Sequence, residues 1–225
     1  MKKYIIAGVA AALLLLTGVI LGMKSCKVSL ADDAAGYVQA DLNLIFQGET
    51  QDAERYLHAS AADLKKIHEN GVAAFVENYL TGGIETETDV SWKYTRLAEE
   101  LFMTMKYEVG EAKQTDEDTY EVAVKYQPVD VFTNAMPQIA AEAARIEEAA
   151  QEGVYEGKDA EIQAMMNLEY LNHAYEYLES AYLEMGYGER EEFTFTVTVG
   201  EKNALSMDET EINTFIERIL ALDKL

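Results

Sequence analysis

The chain has one cysteine in 225 residues, Cys26, so an intrachain disulfide is excluded. Stability must come from packing. It has two prolines, Pro128 and Pro137, and no Ser/Gly-rich run, which argues against a long flexible linker. Basic residues are scarce: 18 Lys and Arg stand against 41 Asp and Glu. Four of those 18 are Lys2, Lys3, Lys24 and Lys27, which leaves 14 against 41 and a formal charge of −27 for the remainder. Such a surface repels phosphate backbones and anionic headgroups, so nucleic acid is excluded as a partner. G-x-S-x-G, H-E-x-x-H and C-x-x-C are all missing. Gly153 to Lys158 has the wrong spacing for a phosphate loop, and Asp159 stands where Ser or Thr is required.

A long uncharged run occurs once, from Tyr4 to Met23, after a basic start at Lys2 and Lys3. A cleavable signal has an apolar region of roughly 7–15 residues, whereas a spanning helix needs roughly 20. The run reaches spanning length. It ends in Met23-Lys24-Ser25-Cys26, where Ser25 fits a lipoprotein cleavage site and Lys24 departs from one. Two readings stay open: lipid attachment at Cys26, or retention of residues 4–23 as a membrane helix. Both export the rest of the chain and hold it at the outer face of the cell membrane. The expected division is residues 1–25 as signal peptide or anchor, 26–33 as a short tether, and 34–225 as one extracytoplasmic domain. About 200 residues suffice for one core of ordinary size.

Helical spacing appears from Ala34 to Phe46, with Val38, Leu42 and Ile45 on one face and Gly48 as the stop. Ser60 with Asp63 predicts a capped helix carrying Leu64, His68, Val72, Phe75 and Tyr79 as far as Gly82-Gly83. A third helix from about Asp89 bears Tyr94, Leu97, Leu101 and Met105. The period then changes to two: Lys106 to Ala112 and Tyr120 to Tyr126 flank a polar turn and predict a hairpin closed by Pro128. Helices over about 134–152 and 159–185 follow, the second with Leu168, Leu171, Tyr175, Leu178, Tyr182 and Met185 on its stripe. Phe193 to Val199 alternates with Thr194, Thr196 and Thr198, and Ala204 to Met207 predicts a fourth strand. Asp208 with Glu211 predicts a capping box for a last helix carrying Ile212, Phe215, Ile219 and Leu222. The order predicts an α+β domain: a mostly antiparallel sheet of about four strands covered by helices, with an inserted helical pair.

Gly36-Tyr37-Val38, Lys106 to Ala112, Tyr126-Gln127-Pro128 and Phe193 to Val199 occur in an order that resembles exported lipoproteins of unknown function from Gram-positive bacteria. The resemblance spans most of the chain after Cys26. It implies a helix on a curved sheet, similar to cystatin-like or nuclear-transport-factor-2-like domains, and lipid attachment at Cys26. It implies no catalytic residue.

The residues that suggest a ligand are aromatic. Tyr170 and Tyr177 lie seven apart on one helix beside the apolar stripe and, with Trp92, are expected to offer aromatic contacts to a ligand. Tyr175 and Tyr182 belong to the stripe and to the core. Asp116, Glu117 and Asp118 lack the spacing of a calcium loop and read as a solvated turn. His58, His68 and His173 are dispersed, and His68 reads as a half-buried helix residue. No cofactor or metal set is expected. The favoured reading is a non-catalytic module that binds an envelope protein, peptide or glycan; the alternative is an envelope hydrolase with a carboxylate or histidine site. The anchor has a direct test. In Cys26→Ala, lipid attachment predicts loss of both the acyl label and the cleavage before position 26, whereas a retained helix predicts an unchanged, full-length intact mass.

Overall fold

The two alternating segments and the Phe/Thr segment form one sheet. β1 (Lys106–Asp116), β2 (Thr119–Gln127), β3 (Glu191–Val199) and β4 (Leu205–Met207) are antiparallel in the order β1-β2-β3-β4. The computed structural model describes residues 30–85 and 88–225. The expected anchor over 4–23 and Cys26 lie outside them. The other elements are α1 (Leu30–Gln47), α2 (Gln51–Leu57), α3 (Ala61–Phe75), α4 (Thr88–Phe102), α5 (Val131–Gln151), α6 (Asp159–Leu183) and α7 (Glu209–Ile219). The fold is therefore α+β, with α5 and α6 inserted between two neighbouring strands. Among the described residues no helix is long and apolar enough to cross a membrane.

Cross-strand partners share a face, so the register sorts the side chains. Tyr107 and Val109 stand opposite Tyr126 and Val124, and Val122 and Tyr120 stand opposite Phe195 and Val197. The four β2 residues on this face are buried, and Glu121 and Lys125, on the other, are exposed. The inner face packs on α1 and α7: Phe215 of α7 meets the rings of Phe46, Tyr126, Phe193 and Phe195. Between Val109 and Ala112 two residues oppose one on β2, a bulge that carries Gly110. A Cβ at Gly110 would stand 2.9 Å from the Ala123 carbonyl oxygen, so the backbone approach there requires glycine.

Several expectations are amended. α1 already includes Leu30, the first described residue, ahead of the Ala34 start that periodicity predicts, and Leu30 and Ala31 pack against the core. α2 was not anticipated; seven residues hold too few turns to show a period. The Ser60 cap forms, its hydroxyl accepting from the Asp63 N–H at 3.3 Å. After Phe75 the helix widens into a π-type turn, closed by the Thr81 N–H on the Val76 carbonyl at 2.9 Å. Leu168, placed on the α6 stripe, is 49% exposed, since the first turns of α6 run past the core.

The capping box of α7 forms only in half. Asp208 accepts from the Thr210 N–H at 2.7 Å, but Glu211 turns away. Its carboxylate accepts from the Thr196 N–H at 2.8 Å and the Thr196 hydroxyl at 2.9 Å, which satisfies β3 beyond the end of the short β4. Thr196 is accordingly half-buried, whereas Thr194 and Thr198 meet solvent as expected.

Among the described residues, Asp41 and Glu142 are buried acids, and Asp41 lies beside the sheet core. Asp41 of α1 is 3% exposed, one turn from the buried Tyr37. Burial pushes its carboxyl up to about 7. A folded-state value above the unfolded one means that the folded state binds the extra proton, so stability is full below about pH 4 and falls as pH rises towards 7. The loss at pH 8 is about 4 kcal/mol for a shift of this size. Asp41→Asn is expected to be as stable as the parent near pH 4 and more stable at pH 8, read as melting temperature against pH. Parallel curves for the two proteins would contradict this placement.

Candidate functional site

α1 ends through local geometry. Gly48 takes φ +66, its N–H reaches the Leu44 carbonyl at 3.1 Å, and the Glu49 N–H returns to the Asn43 carbonyl at 3.3 Å. A Cβ at Gly48 would lie 3.1 Å from the His68 ring, so glycine is required for the turn and for the contact. His68 is half-buried, as expected, with Nδ1 buried and without a hydrogen-bond partner.

Gln39, Asn43 and Gln47 follow at intervals of four on α1 and so share one face. That face borders an open groove of about 540 Å³ beside the start of β1. Lys106, Glu108, Lys125, Gln127 and Arg190 also line it, Glu108 and Lys125 from the outer face of the sheet at the β1 edge. Tyr107 lines it too, donating to Asn43 Oδ1 at 2.9 Å and accepting from Gln47 Nε2 at 3.3 Å. Gln39 Nε2 donates to the same Asn43 oxygen at 2.7 Å, and Asn43 Nδ2 to Glu49 at 3.0 Å. The carboxamides are thus oriented before any ligand arrives. Arg190 pairs with Glu108 at 3.4 Å, and the Lys106 ammonium sits over the Tyr187 ring. Three basic side chains therefore gather in a chain with few of them. Among the described residues β1 is an edge strand, with a strand neighbour on its β2 side only. The groove thus offers side-chain amides, cations and a tyrosine along a strand edge, groups that suit an extended polar ligand.

A second polar cluster joins α5 to α6. Glu142, 7% exposed, receives Arg145 Nε at 2.9 Å and Arg145 Nη2 at 2.6 Å, and its Oε1 lies 2.5 Å from His173 Nδ1. Arg145 also binds Glu169, whose other oxygen accepts from the Tyr155 hydroxyl at 2.6 Å. The Arg145 guanidinium beside Glu142 holds its carboxyl down to about 2, and the Tyr155 hydroxyl with Arg145 lowers that of Glu169.

The aromatic residues singled out from sequence lie elsewhere. Trp92 on α4 is 60% exposed and its ring meets the Arg96 guanidinium at 5.7 Å. Tyr170 and Tyr177 are half-buried and pack against the core, as Tyr175 and Tyr182 also do. None of Trp92, Tyr170 and Tyr177 lines the groove. Asp116, Glu117 and Asp118 form the exposed hairpin turn, where Asp116 Oδ1 accepts from the Glu117 N–H at 2.8 Å. The row Gln39, Asn43, Gln47 was visible in sequence as carboxamides at intervals of four. Glu169 and His173, also four apart, were visible too, but their meeting with Glu142 depends on the pairing of two helices.

No family profile and no curated protein matches the sequence. Among solved structures the chain is similar to ycdA of Bacillus subtilis, described as a candidate lipoprotein, with a TM-score of 0.51 and 12% identity over 84% of this chain. The match spans 56% of that protein's chain. At this identity the likeness is one of fold.

Proposed function

We propose that this chain is a membrane-tethered module of the cell envelope that binds an extended polar segment of an envelope protein, peptide or glycan in the groove between α1 and β1, without catalysis. The observation that carries the reading is the pre-oriented row of Gln39, Asn43 and Gln47 along an open groove that Lys106, Lys125 and Arg190 also line. Carboxamides and a tyrosine hydroxyl read hydroxyls and peptide groups; the cations favour a ligand with acidic groups. The apolar run over 4–23 followed by Cys26 supports a tether, by lipid or by a retained helix. The fold likeness to a candidate lipoprotein supports the same compartment.

The test is site-specific photocrosslinking in intact membranes. A benzophenone side chain at Gln39 or Lys125 is expected to give a discrete adduct, and one at the exposed Glu152 none. Loss of the adduct to protease indicates a protein or peptide, and loss to a glycan hydrolase a glycan. Equal labelling from all three positions, or turnover of a small substrate by the purified chain, would overturn the reading.

A further inference from the structure

We infer that Glu142, Glu169 and His173 form a binding site for one divalent transition-metal ion, best fitted by zinc, at the junction of α5 and α6. The three side chains offer one ligand atom each, all within 4.8 Å of one another. They come from both helices of the inserted pair: Glu142 from α5, and Glu169 and His173 from adjacent turns of α6. Two carboxylate oxygens and an imidazole nitrogen with a fourth position for water is a donor set that zinc accepts. Calcium wants six to eight oxygens and copper(I) wants sulfur, so neither suits it.

His173 is half-exposed, yet its Nδ1 points inward at Glu142 Oε1, and Glu142 is itself more than nine-tenths buried. An imidazole nitrogen held on a buried carboxylate, with a second carboxylate oxygen within 4.8 Å, separates this cluster from the many surface acids of the chain. The fit requires small movements. Ligands at about 2.0–2.2 Å from one zinc ion stand about 3.3 Å apart, so the close Glu142–His173 pair opens and Glu169 moves in. The present cation is Arg145, which touches both carboxylates. Its side chain is about half-exposed, so it can yield Glu142 Oε1 to a metal while Nε stays on Oε2. Tyr155 already orients Glu169 through its second oxygen, the role an outer partner plays for a metal-bound carboxylate. The groove beside α1 shares no residue with this site, so the two readings stand or fall separately.

Isothermal titration of the full chain in detergent with zinc chloride is the test, with manganese chloride as comparison. One high-affinity zinc per chain is expected, with affinity reduced at least tenfold in Glu169→Gln and His173→Ala. Arg145→Ala is the discriminating variant. It removes the competing cation and is expected to bind zinc several-fold more tightly, although it breaks the ion pairs that join the helices. If the cluster serves only as a structural ion-pair network, this variant loses thermal stability and gains no affinity. Absence of zinc uptake, uptake indifferent to E169Q and H173A, or an R145A variant no tighter than the parent would each overturn the inference.

Discussion

The fold depends on hiding one face of a four-stranded meander, and Phe215 is where that is done. Its fully buried ring touches aromatic residues from α1, β2 and β3. Burying such a ring is worth about 2–3 kcal/mol, and aromatic pairs add about 0.5–1.5 kcal/mol each. The consequence is positional. With α7 fixed on β3, Glu211 reaches Thr196 and satisfies the strand beyond β4. With Phe46 fixed against Phe215 and Tyr107, α1 lies beside β1 and turns Asn43 and Gln47 toward the tyrosine hydroxyl. The backbone frame of the groove is therefore a by-product of core packing.

Much of this could be read from the sequence, for a physical reason. Tyr120, Val122, Val124 and Tyr126 alternate because one sheet face is wet, and period two survives in the sequence only when the faces differ. Tyr94, Leu97 and Leu101 show period 3.6 because α4 buries one side. α6 was harder. Its apolar residues run along its whole length, but the core covers only part of it, so Leu168 is exposed although it continues the pattern of Leu171 and Leu178. Periodicity states which face is apolar, not how far the partner extends.

The sites were less legible because they are made by pairing. Glu211 sits three residues after an N-cap and carries the local signature of a capping box; a long-range bond to Thr196 won because an unpaired strand N–H would otherwise be left half-buried. Glu142 is one acid among 41 until α5 lies against α6 and brings it to His173. Tyr170 and Tyr177 illustrate the converse. Aromatic residues attract attention as ligand contacts, yet these pack against the core, while the groove is lined by carboxamides and lysines that composition hides.

The place of the groove on α1 links the binding reading to the tether. Three residues, and so four Cα steps, separate Cys26 from Leu30, a contour of at most about 14 Å. Along a helix rising 1.5 Å per residue, Gln39 stands about 13 Å and Gln47 about 25 Å beyond Leu30. A chain held at Cys26 would therefore keep the groove within about 40 Å of the bilayer surface, whichever way α1 tilts. Leu30 and Ala31 already pack against the core, so α1 joins the domain without a flexible hinge of its own. If the chain is held at Cys26 as proposed, a tether this short would confine the groove to a thin shell above the membrane, where a weakly bound segment would meet a high effective concentration of the site. Affinity in solution would then be modest even where binding at the membrane is nearly complete, because confinement supplies what contacts in an open polar groove do not.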